Sequence, residues 1–590
     1  MKKQFGLPLM LASALAFSAC SSDDVAENGN GSLTDFTNGG YVKMAINMPT
    51  VKSSEGAFKG VNDDYQGGTP DEYAVNNTTV IMFQGNNEND AIFHSAYNIA
   101  NAWTPQLAPN GQISSILQLT KKVNETAIGS NLYALVVVNH NGLLEVGTDH
   151  TLKVNTVGFT GNFTDFKNKL ATAENVSGTK ISGTGLFMAN APLSKGTGGT
   201  AKSDGPVTTL VNLSSDVYPT ETAAEAAPAA HIYIERGVAK VTFINPKTDA
   251  NFTTDAFSNG KGVATVTYTM DGWNLDITNK SSFLVRHVNP DWNAYKTDIT
   301  GVTVTNPFRF VGHTEVHDGL YRTYWAEDPN YSSTPAAAFN KVAGVADINK
   351  GFGPDKPLYC LENTFNVDNQ NQDATTRAIV RVKVKINGTE GDFYTVNGGK
   401  TTLYSQENLD NLVKNAIITN ADVVAANGGA PNAADITLSY SDLGDNVQKV
   451  GGITLTLADG TLLSANAKYN DILDAVNKTV KNITKYVAGY VYYPVRIKHF
   501  GDELTPWAQA YDANITTGKI YPATNKEERY LGRYGVVRNN WYELEVNSIK
   551  GIGYAVIPPA NSDPDDVLDQ YISVKINILS WAKRKQSEKL

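Results

Sequence analysis

Few residues of this chain combine the type and the spacing that catalysis or metal binding requires. The best metal candidate is the pair His313 and His317 in the segment HTEVH, where two imidazoles four residues apart would share one face of a helix. Glu315, however, stands midway between them rather than beside the first histidine, and the flanking sequence is typical of a loop or strand. On a strand the two histidines would share a face but lie too far apart to chelate one ion. We therefore expect no metal here.

The remaining reactive residue types give no better active site. Several aspartates lie in turn-like runs that lack the alternating oxygen ligands and closing glutamate of a calcium loop. They are Asp442, Asp445, Asp563, Asp565 and Asp566. No glycine-rich phosphate loop precedes a lysine, no Gly-x-Ser-x-Gly elbow occurs, and a formal net charge of −10 gives no electrostatic footprint for nucleic acid. The sequence predicts a protein that is not an enzyme, needs no cofactor or metal, and does not bind nucleic acid.

The chain begins with the pattern of a secretory signal. A short basic start is followed by the apolar run Phe5–Phe17, which is too short to span a bilayer as a mature helix, and then by small residues at a cleavage site. Cleavage after Ala19 would leave Cys20 first, ahead of a polar tether. This order resembles a bacterial lipoprotein signal, although a phenylalanine stands at position 17 where leucine is usual. We expect Cys20 to carry lipid; an ordinary signal peptide with an incidental cysteine is the alternative.

The composition favours a β-rich extracellular protein with a large apolar core. Only 18% of the 590 residues are charged, and Tyr, Thr, Asn, Val and Gly are abundant. The chain has two cysteines, Cys20 and Cys360. With the first assigned to lipid, the second has no partner in the chain, so we expect no disulfide framework. The apolar neighbours of Cys360 in PLYCLENTF predict a buried, inert thiol.

Strand signals recur along the whole chain, while helical signals are scarce. Alternating or β-branched segments predict strands at Tyr41–Met48, Thr78–Phe83, Leu132–Val138, Leu186–Ala189, Ile232–Phe243, Val263–Met270, Ala378–Ile386, Val487–Ile497, Trp541–Ile549 and Tyr571–Trp581. The Gly-, Ala- and Thr-rich stretch Ser194–Ala230 predicts a long surface loop. Helical spacing of apolar residues occurs at Ser405–Ile418 and Tyr469–Tyr486, and we expect these helices to decorate a β-sandwich.

The segment Tyr571–Leu590 is an alternating strand followed by a basic tail. One apolar face would carry Ile572, Val574, Ile576 and Ile578. A strand at the end of a chain with no element to cover it leaves an edge open to pairing with another molecule. In a protein that polymerises, such an edge is a means of assembly.

Seven segments resemble one protein family in their order and spacing. They are DEYAVNNTTVIMF (Asp71–Phe83), NLYALVVVNHNG (Asn131–Gly142), IYIERGVAKVTF (Ile232–Phe243), PLYCLENTF (Pro357–Phe365), VYYPVRIKHF (Val491–Phe500), GRYGVVRNNWYELEVNSIKGIG (Gly532–Gly553) and SVKINILSWAKRKQSEKL (Ser573–Leu590). Together they resemble the major stalk subunit of the short fimbriae of Bacteroidales, the fimbrillin class of type V pili. The most specific elements are GVVRNNWY and the ending that carries Trp581, Gln586 and Leu590.

The resemblance implies a fold and a mechanism. Such subunits resemble two stacked transthyretin-like β-sandwiches that reach the outer membrane as lipoproteins. A surface protease removes the first strand with its lipid tether, and the C-terminal segment of a neighbouring subunit fills the groove that is left. Head-to-tail repetition of this contact gives an open filament. The expected protein is a fimbrial subunit that supports adhesion and biofilm formation, and its partners are copies of itself, anchor and tip subunits, and an adhesion receptor that the sequence does not identify.

The resemblance also divides the chain into five parts. They are a signal peptide at 1–19, a lipidated propeptide with the removable strand at 20–59, an N-terminal sandwich at 60–246, a C-terminal sandwich at 247–570 and a polymerisation segment at 571–590.

Carried onto this chain, the removable strand is Tyr41–Met48. Its inward residues would be Val42, Met44, Ile46 and Met48, because only this alternate set is apolar throughout. The best-known family members are cut after arginine, whereas this chain has no arginine before Arg236. We therefore expect the cut between Lys59 and Gly60, in a polar Gly-containing stretch, with Lys52 as the alternative.

The donor segment, on the same basis, combines the apolar face of the last strand with the tail. It comprises Ile572, Val574, Ile576, Ile578, Trp581, Gln586 and Leu590. The strand can also belong to its own domain, with Trp581–Leu590 as the exchanging part. The lysines of the tail must then reach the rim of the groove or water, because burial of unpaired charge is costly.

Two other classes of protein share some of these features. A surface lipoprotein that binds glycans would have the same anchor and sandwiches, with aromatic residues to stack on sugars; candidates are Trp273, Trp292, Trp325 and Trp507. A fimbrial anchor or tip subunit is closer kin, but a tip subunit needs no donor segment after its last strand.

Overall fold

The computed structural model describes the chain in segments between residues 40 and 580. The described residues are 40–47, 69–99, 112–119, 131–172, 185–195, 206–244, 257–258, 263–288, 311–317, 319–323, 326–332, 338–364, 369–499, 532, 534–549, 551–563 and 572–580. Within these segments strands dominate, which confirms the expected mainly β fold class. None of the helices among these residues is both long and apolar enough to cross a membrane.

Sixteen strands precede residue 245 in the described segments. They are β1 Gly40–Asn47, β2 Thr78–Gly85, β3 Ile92–Ile99, β4 Gln112–Leu119, β5 Asn131–Val138, β6 Leu144–Val146, β7 Leu152–Val154, β8 Val157–Phe159, β9 Leu170–Thr172, β10 Met188–Asn190, β11 Leu193–Lys195, β12 Val207–Thr208, β13 Val211–Asn212, β14 Val217–Tyr218, β15 Ala230–Arg236 and β16 Val238–Ile244.

The later described segments contain the remaining strands. They are β17 Phe257–Ser258, β18 Val263–Ala264, β19 Val266–Asp276, β20 Thr278–Asn279, β21 Ser281–Phe283, β22 Val311–His317, β23 Leu320–Thr323, β24 Phe339–Asn340, β25 Leu358–Leu361, β26 Arg377–Ile386, β27 Phe393–Thr395, β28 Thr437–Gly444, β29 Val447–Thr454, β30 Ile483–Tyr486, β31 Tyr490–Arg496, β32 Asn540–Ile549 and β33 Ile572–Ser580. The α-helices are α1 Pro70–Tyr73, α2 Phe163–Lys167, α3 Glu221–Ala226, α4 Gln406–Ile418, α5 Ala421–Asn427 and α6 Tyr469–Thr479.

The N-terminal sheet is buried on both faces. It contains β1, β15, β10, β5, β2 and β3, with β4 and β14 paired to β1 and β13 paired to β5. Val80 and Met82 of β2 pack into one apolar core, whereas Ile81 and Phe83 of the same strand pack into a second. Burial on both faces explains why β2 and β5 read as continuous apolar runs rather than alternating ones. We call the first cluster, which also contains side chains of β1, the β1 core.

The C-terminal sandwich is formed by two sheets around a shared core. One sheet has the order β25-β16-β32-β33 and the other β19-β26-β31. Phe243 of β16 and Leu544 of β32 pack in the same cluster as Trp273 of β19 and Val380 of β26. The arrangement is that of a sandwich, in which the inner faces of two sheets interdigitate.

The predicted strand Ile232–Phe243 is two strands that belong to different sheets. β15 pairs with β1 and β10 in the N-terminal sheet, whereas β16 pairs with β25 and β32 in the C-terminal sandwich. Gly237 separates them, and a Cβ at this position would lie 2.7 Å from the ring of Phe187. A side chain does not fit, so the chain changes sheets at a glycine.

The expected decorating helices form a module with a core of their own. β27, β30, β29 and β28 form a sheet against which α4, α5 and α6 pack, and all of these elements lie between β26 and β31. Leu409, Val413 and Ile417 of α4 are fully buried in this core, and the Ser405 hydroxyl caps the helix by accepting from the Asn408 amide at 3.2 Å. We call residues 387–489 the inserted module.

Two sequence predictions of local structure are wrong in part. The helix expected over Tyr469–Tyr486 ends at Thr479, where Val480 leaves the helical conformation with φ −118° and ψ 81°, and it is followed by β30. The stretch Ser194–Ala230 is not simply a loop, since its described part contains β12, β13, β14 and α3.

Candidate functional site

β1 lies inside the N-terminal sheet and has neighbours on both edges. β4 pairs with it antiparallel along its whole length, from Gly40 opposite Leu119 to Asn47 opposite Gln112. On the other edge, β15 pairs in parallel with Met44–Asn47, and β14 pairs antiparallel with Tyr41 and Val42. Without β1, the backbone groups of both neighbouring edges would lack partners, which is the form of a site that accepts an added strand. We call the position that β1 fills the β1 slot.

The side chains of one face of β1 fill the β1 core. Val42 and Met44 are 0% exposed and Ile46 is 1% exposed, and all three pack in the cluster that contains Val136 and Ile232. Burial of each such side chain contributes about 1.5–3 kcal/mol. The slot therefore presents three apolar pockets at a spacing of two residues.

The opposite face of β1 makes polar contacts in its first half, whereas Ala45 and Asn47 of the same face are buried. The Lys43 ammonium donates to the carbonyl oxygens of Glu225 and Ala227, at 2.8 and 3.2 Å, where α3 ends. A cation is favourable at these carbonyls because they are the unsatisfied acceptors of the helix terminus. Tyr41 and Lys43 are half-buried. The β1 slot thus accommodates a lysine at an outward position.

The chain that follows β1 is anchored separately by a buried carboxylate on α1. Glu72 is 0% exposed, and its Oε1 lies 2.6 Å from Lys240 Nζ of β16 and accepts from the Tyr359 hydroxyl of β25 at 2.5 Å. Its Oε2 accepts from the Thr69 amide at 2.8 Å. Thr69-Pro70-Asp71-Glu72 has the spacing of a capping box, which is the sequence signal for this hydrogen bond.

The electrostatics of this cluster favour an ionised Glu72. Burial alone would raise the pKa of Glu72, but the ion pair with Lys240 and the hydrogen bonds from Tyr359 and Thr69 together hold it below its usual value. The Lys240 ammonium also lies 3.9 Å from the ring centroid of Trp541 on β32. The buried cluster of Glu72, Lys240, Tyr359 and Trp541, which we call the α1 anchor, ties α1 to three strands of one sheet in the C-terminal sandwich.

The predicted cleavage sites fall between these two features. Lys52, Lys59 and Gly60 lie outside the described residues, as does Met48, in the connection from Asn47 to Thr69. A cut in this connection would separate β1 from a chain that the α1 anchor still holds. Whether the chain is cut there stays a prediction, as does the lipid on Cys20, which also lies outside the described residues.

The terminal strand β33 has a partner in its own chain. It pairs antiparallel with β32, so that Val574, Ile576 and Ile578 stand opposite Val546, Leu544 and Tyr542, while Ile572 stands opposite Ile549. These four residues of β32 are buried. Among the described residues β33 has no second neighbour and forms the edge of its sheet. Trp581, Gln586 and Leu590 lie outside the described residues.

The GVVRNNWY segment lies at the junction of the two sheets joined by Gly237. Arg538 Nη2 donates to Glu362 Oε1 at 2.5 Å, and the Arg538 carbonyl accepts from Arg286 at 3.3 Å. Arg286 in turn makes a two-point ion pair with Glu235 at 2.9 and 2.7 Å. These four side chains are at most 3% exposed. Their charges are paired and directional, which fixes the orientation of β15 relative to β32.

Other sequence candidates lie apart from this region. Cys360 on β25 is buried, and burial raises the pKa of its thiol to about 12, so the group stays protonated and inert at neutral pH. The segment with His313 and His317 forms the strand β22. In the described part of the chain, no group of three or more His, Cys, Asp or Glu side chains could hold a metal ion.

The described aspartate and tryptophan candidates lie in turns or in the core, and the other candidates lie outside the described residues. Asp442 and Asp445 lie at the β28–β29 hairpin, and the Asp563 carboxylate accepts from Asn561 at 2.6 Å. Trp273 is 0% exposed and donates to the Gly351 carbonyl at 2.9 Å, so it is a core residue and cannot stack on a sugar. The remaining candidates lie outside the described residues; they are Asp565, Asp566, Trp292, Trp325 and Trp507.

Comparison with known proteins gives a family match at the C-terminal end. Residues 511–587 match the family model described as major fimbrial subunit protein type IV, fimbrillin, C-terminal. The matched range contains both β32 and β33. This match confirms the expected resemblance to fimbrillins. A search of curated proteins found no match.

Several solved structures are similar over most of their length, at low identity. A proposed cell adhesion protein from Parabacteroides distasonis is 12% identical, with 93% of this chain and 99% of that chain covered and a TM-score of 0.34. A fimbrilin from Porphyromonas gingivalis is 12% identical, with 92% and 96% covered and a TM-score of 0.33. The tip fimbrial protein Mfa3 from Porphyromonas gingivalis is 10% identical, with 92% and 99% covered and a TM-score of 0.29. TM-scores this low do not establish a shared fold.

Proposed function

We propose that this chain is a structural subunit of a cell-surface fimbrium, exported as a lipoprotein, matured by proteolysis and polymerised head-to-tail by donor-strand exchange. The fimbrillin match over residues 511–587 supports a fimbrial subunit. The observation that carries the assembly mechanism is the position of β1. It is an interior strand whose apolar side chains fill the β1 core, and the chain that follows it is held independently by the α1 anchor.

Maturation would follow the order of the sequence. Removal of residues 1–19 leaves Cys20 to carry the lipid, and a surface protease cuts between Lys59 and Gly60 or after Lys52. The propeptide then leaves with β1, and the mature N-terminal domain begins at residue 60. The division between the N-terminal and C-terminal domains near residue 246 is part of this proposal, with β16 crossing to pair with C-terminal strands.

Assembly would place the C-terminal segment of one subunit in the β1 slot of the next. β33 pairs with β32 in its own sheet, so the proposal assigns the exchange chiefly to residues 581–590. The basic character of this tail is compatible with the slot, because the outward face of β1 already holds Lys43 against the carbonyls at the end of α3. If Lys583 takes that position, alternation turns Ala582 and Leu590 toward the β1 core together with Arg584, Gln586 and Glu588, so the tail fills the apolar pockets only in part.

N-terminal sequencing of filaments shed from cells tests the cut. We expect the mature chain to begin at Gly60, because the connection between β1 and α1 is the place where a cut frees β1 without disturbing the α1 anchor. A Lys59→Ala variant should shift the start to residue 53 or leave the precursor uncut. Filaments whose subunits begin at residue 20 or 21 would contradict the proposed maturation.

Deletion of Trp581–Leu590 tests the donor segment. We expect the truncated chain to fold, since β33 ends at Ser580, but to give no ladder of polymers on gels run without heating. A variant of full length with Lys583→Ala and Lys585→Ala is the matched control and should still polymerise. Ladders from the truncated chain would show that residues 581–590 are not the donor. If the protein were instead a surface lipoprotein that binds glycans, the deletion would leave its binding at the cell surface unchanged.

A further inference from the structure

A pocket of about 600 Å³ opens in the N-terminal domain on the side of the sheet opposite the β1 core. β10 has three residues and bridges β5 to β15 only at Val137–Val138 and Ile234–Arg236. The pocket lies beyond the end of β10 and is lined by Tyr133 of β5 and by His231 and Tyr233 of β15. Its volume is within the range of small-molecule sites.

The aromatic side chains of the pocket present partly exposed rings. His231 and Tyr233 are two residues apart on one strand, so they share a face, and their rings are stacked with an interplanar angle of 18° and a centroid distance of 6.3 Å. Both are half-buried, and Ile232 between them points into the β1 core. Two neighbouring rings held by a strand form a flat apolar surface with polar edges.

A carboxylate is held at the pocket wall in a fixed orientation. Glu88 Oε2 accepts from the backbone amides of Thr209 and Leu210, each at 2.8 Å. Among the described residues, these two amides are the hydrogen-bond donors to Glu88, and neither engages Oε1. Burial raises the pKa of Glu88, although the two amide donors and Lys167 oppose this effect.

The rest of the lining is polar and nearly balanced in charge. Asn86 and Asn212 bring amide side chains, and Thr208 brings a hydroxyl group. Lys195 and Glu88 carry opposite charges at the same pocket. A lining of this kind offers hydrogen bonds in both directions and little net attraction for an ion, so it suits a neutral ligand with many hydroxyl groups.

We propose that this pocket binds a neutral saccharide, with a sugar ring lying against Tyr233 and a sugar hydroxyl donating to Glu88 Oε1. A sugar ring has an apolar face and an equatorial belt of hydroxyl groups, which match the aromatic surface and the amide and carboxylate groups around it. A peptide with a basic side chain could also reach Glu88. The flat rings and the amide-rich lining favour the saccharide. The pocket adjoins the β1 slot, because His231 and Tyr233 pair with Ala45 and Asn47 of β1, so binding is measured on the uncut chain.

Binding of the purified full-length chain in detergent to an array of neutral oligosaccharides tests the proposal. We expect at least one oligosaccharide to be retained, and its affinity to fall about tenfold or more in Glu88→Gln and in Tyr233→Ala. Glu88→Gln is the sharper variant, because the glutamine oxygen can keep both backbone hydrogen bonds while an amide donor replaces the acceptor at Oε1. It therefore keeps the test valid should Tyr233→Ala fail to fold.

The control is Tyr490→Ala, which removes a half-buried tyrosine of β31 in the C-terminal sandwich. Its affinity should stay within about twofold of the wild type, since distant sites act independently. The proposal is overturned if no oligosaccharide binds, if binding survives both pocket variants, or if a trilysine peptide binds in a Glu88-dependent manner while no sugar does. None of these results bears on filament formation, which the truncation of the tail tests by itself.

Discussion

A disulfide between positions 41 and 218 is expected to abolish polymerisation of a chain that has nevertheless been cut. Tyr41 of β1 stands directly opposite Tyr218 of β14 in an antiparallel pair, and both residues are half-buried. Opposite residues in such a pair have Cα atoms about 4.5–5.5 Å apart, which suits a disulfide. The double variant Tyr41→Cys and Tyr218→Cys would therefore hold the severed propeptide in the β1 slot. Non-reducing gels should show monomers that keep the severed propeptide and no ladder, while reducing gels should show the shorter, cut chain.

The reducing agent is the internal control of this experiment. Dithiothreitol should release the propeptide from the double variant and restore assembly, whereas each single cysteine variant should polymerise without it. The natural cysteines do not interfere, since Cys360 is buried and Cys20 is expected to carry lipid. Polymers formed by the oxidised, cut double variant would mean that the donor segment does not enter the β1 slot.

Replacement of Glu72 by glutamine is expected to lower the free energy of unfolding by about 3–5 kcal/mol, because it leaves the buried Lys240 without its counter-charge. The double variant Glu72→Gln with Lys240→Met removes the stranded charge and should recover part of that loss. Chemical denaturation of the purified chains measures both. If the free energy of unfolding of Glu72→Gln lies within about 0.5 kcal/mol of the wild type, the ion pair between Glu72 and Lys240 does not stabilise the fold.

The effect of this variant should also depend on pH. The pKa of Glu72 in the folded chain lies below its usual value of 4.5, so folding favours the ionised form. The stability that this shift contributes is present above pH 4.5 and is lost as the pH falls through the lower folded-state pKa. The difference between the wild type and Glu72→Gln should therefore shrink in acid. A difference that stays constant between pH 7 and pH 3 would contradict the assignment.

Local patterns in the sequence predict a strand or helix correctly where one apolar face of that element packs into the core. Alternation in YVKMAIN separates Val42, Met44 and Ile46 from Tyr41 and Lys43, and the first three side chains are buried. The helical spacing of apolar residues over Ser405–Ile418 predicts α4 for the same reason, because its apolar residues recur on one face.

Patterns failed where the partner of a residue comes from a distant part of the chain. IYIERGVAKVTF has strand character throughout, so nothing local marks the change of sheet at Gly237. Glu235, Arg236 and Lys240 read as surface charges, yet each is at most 3% exposed. Arg286, which pairs with Glu235, and Glu72, which pairs with Lys240, are far from these residues in sequence. The saccharide pocket was missed likewise, because Tyr133 and Tyr233 meet only through the sheet.

The inserted module leaves and rejoins the C-terminal sandwich at neighbouring strands. β26 and β31 pair antiparallel, with Lys383 opposite Tyr490, so the sheet itself brings the two ends of the module together. The inserted module has a core of its own. The entropic cost of closing a chain segment between β26 and β31 rises only slowly with the length of that segment. The length of this module can therefore change while the strands that β1 and β33 pair with stay as they are, provided that Phe393, Leu403 and Tyr486 still fill the core of the C-terminal sandwich.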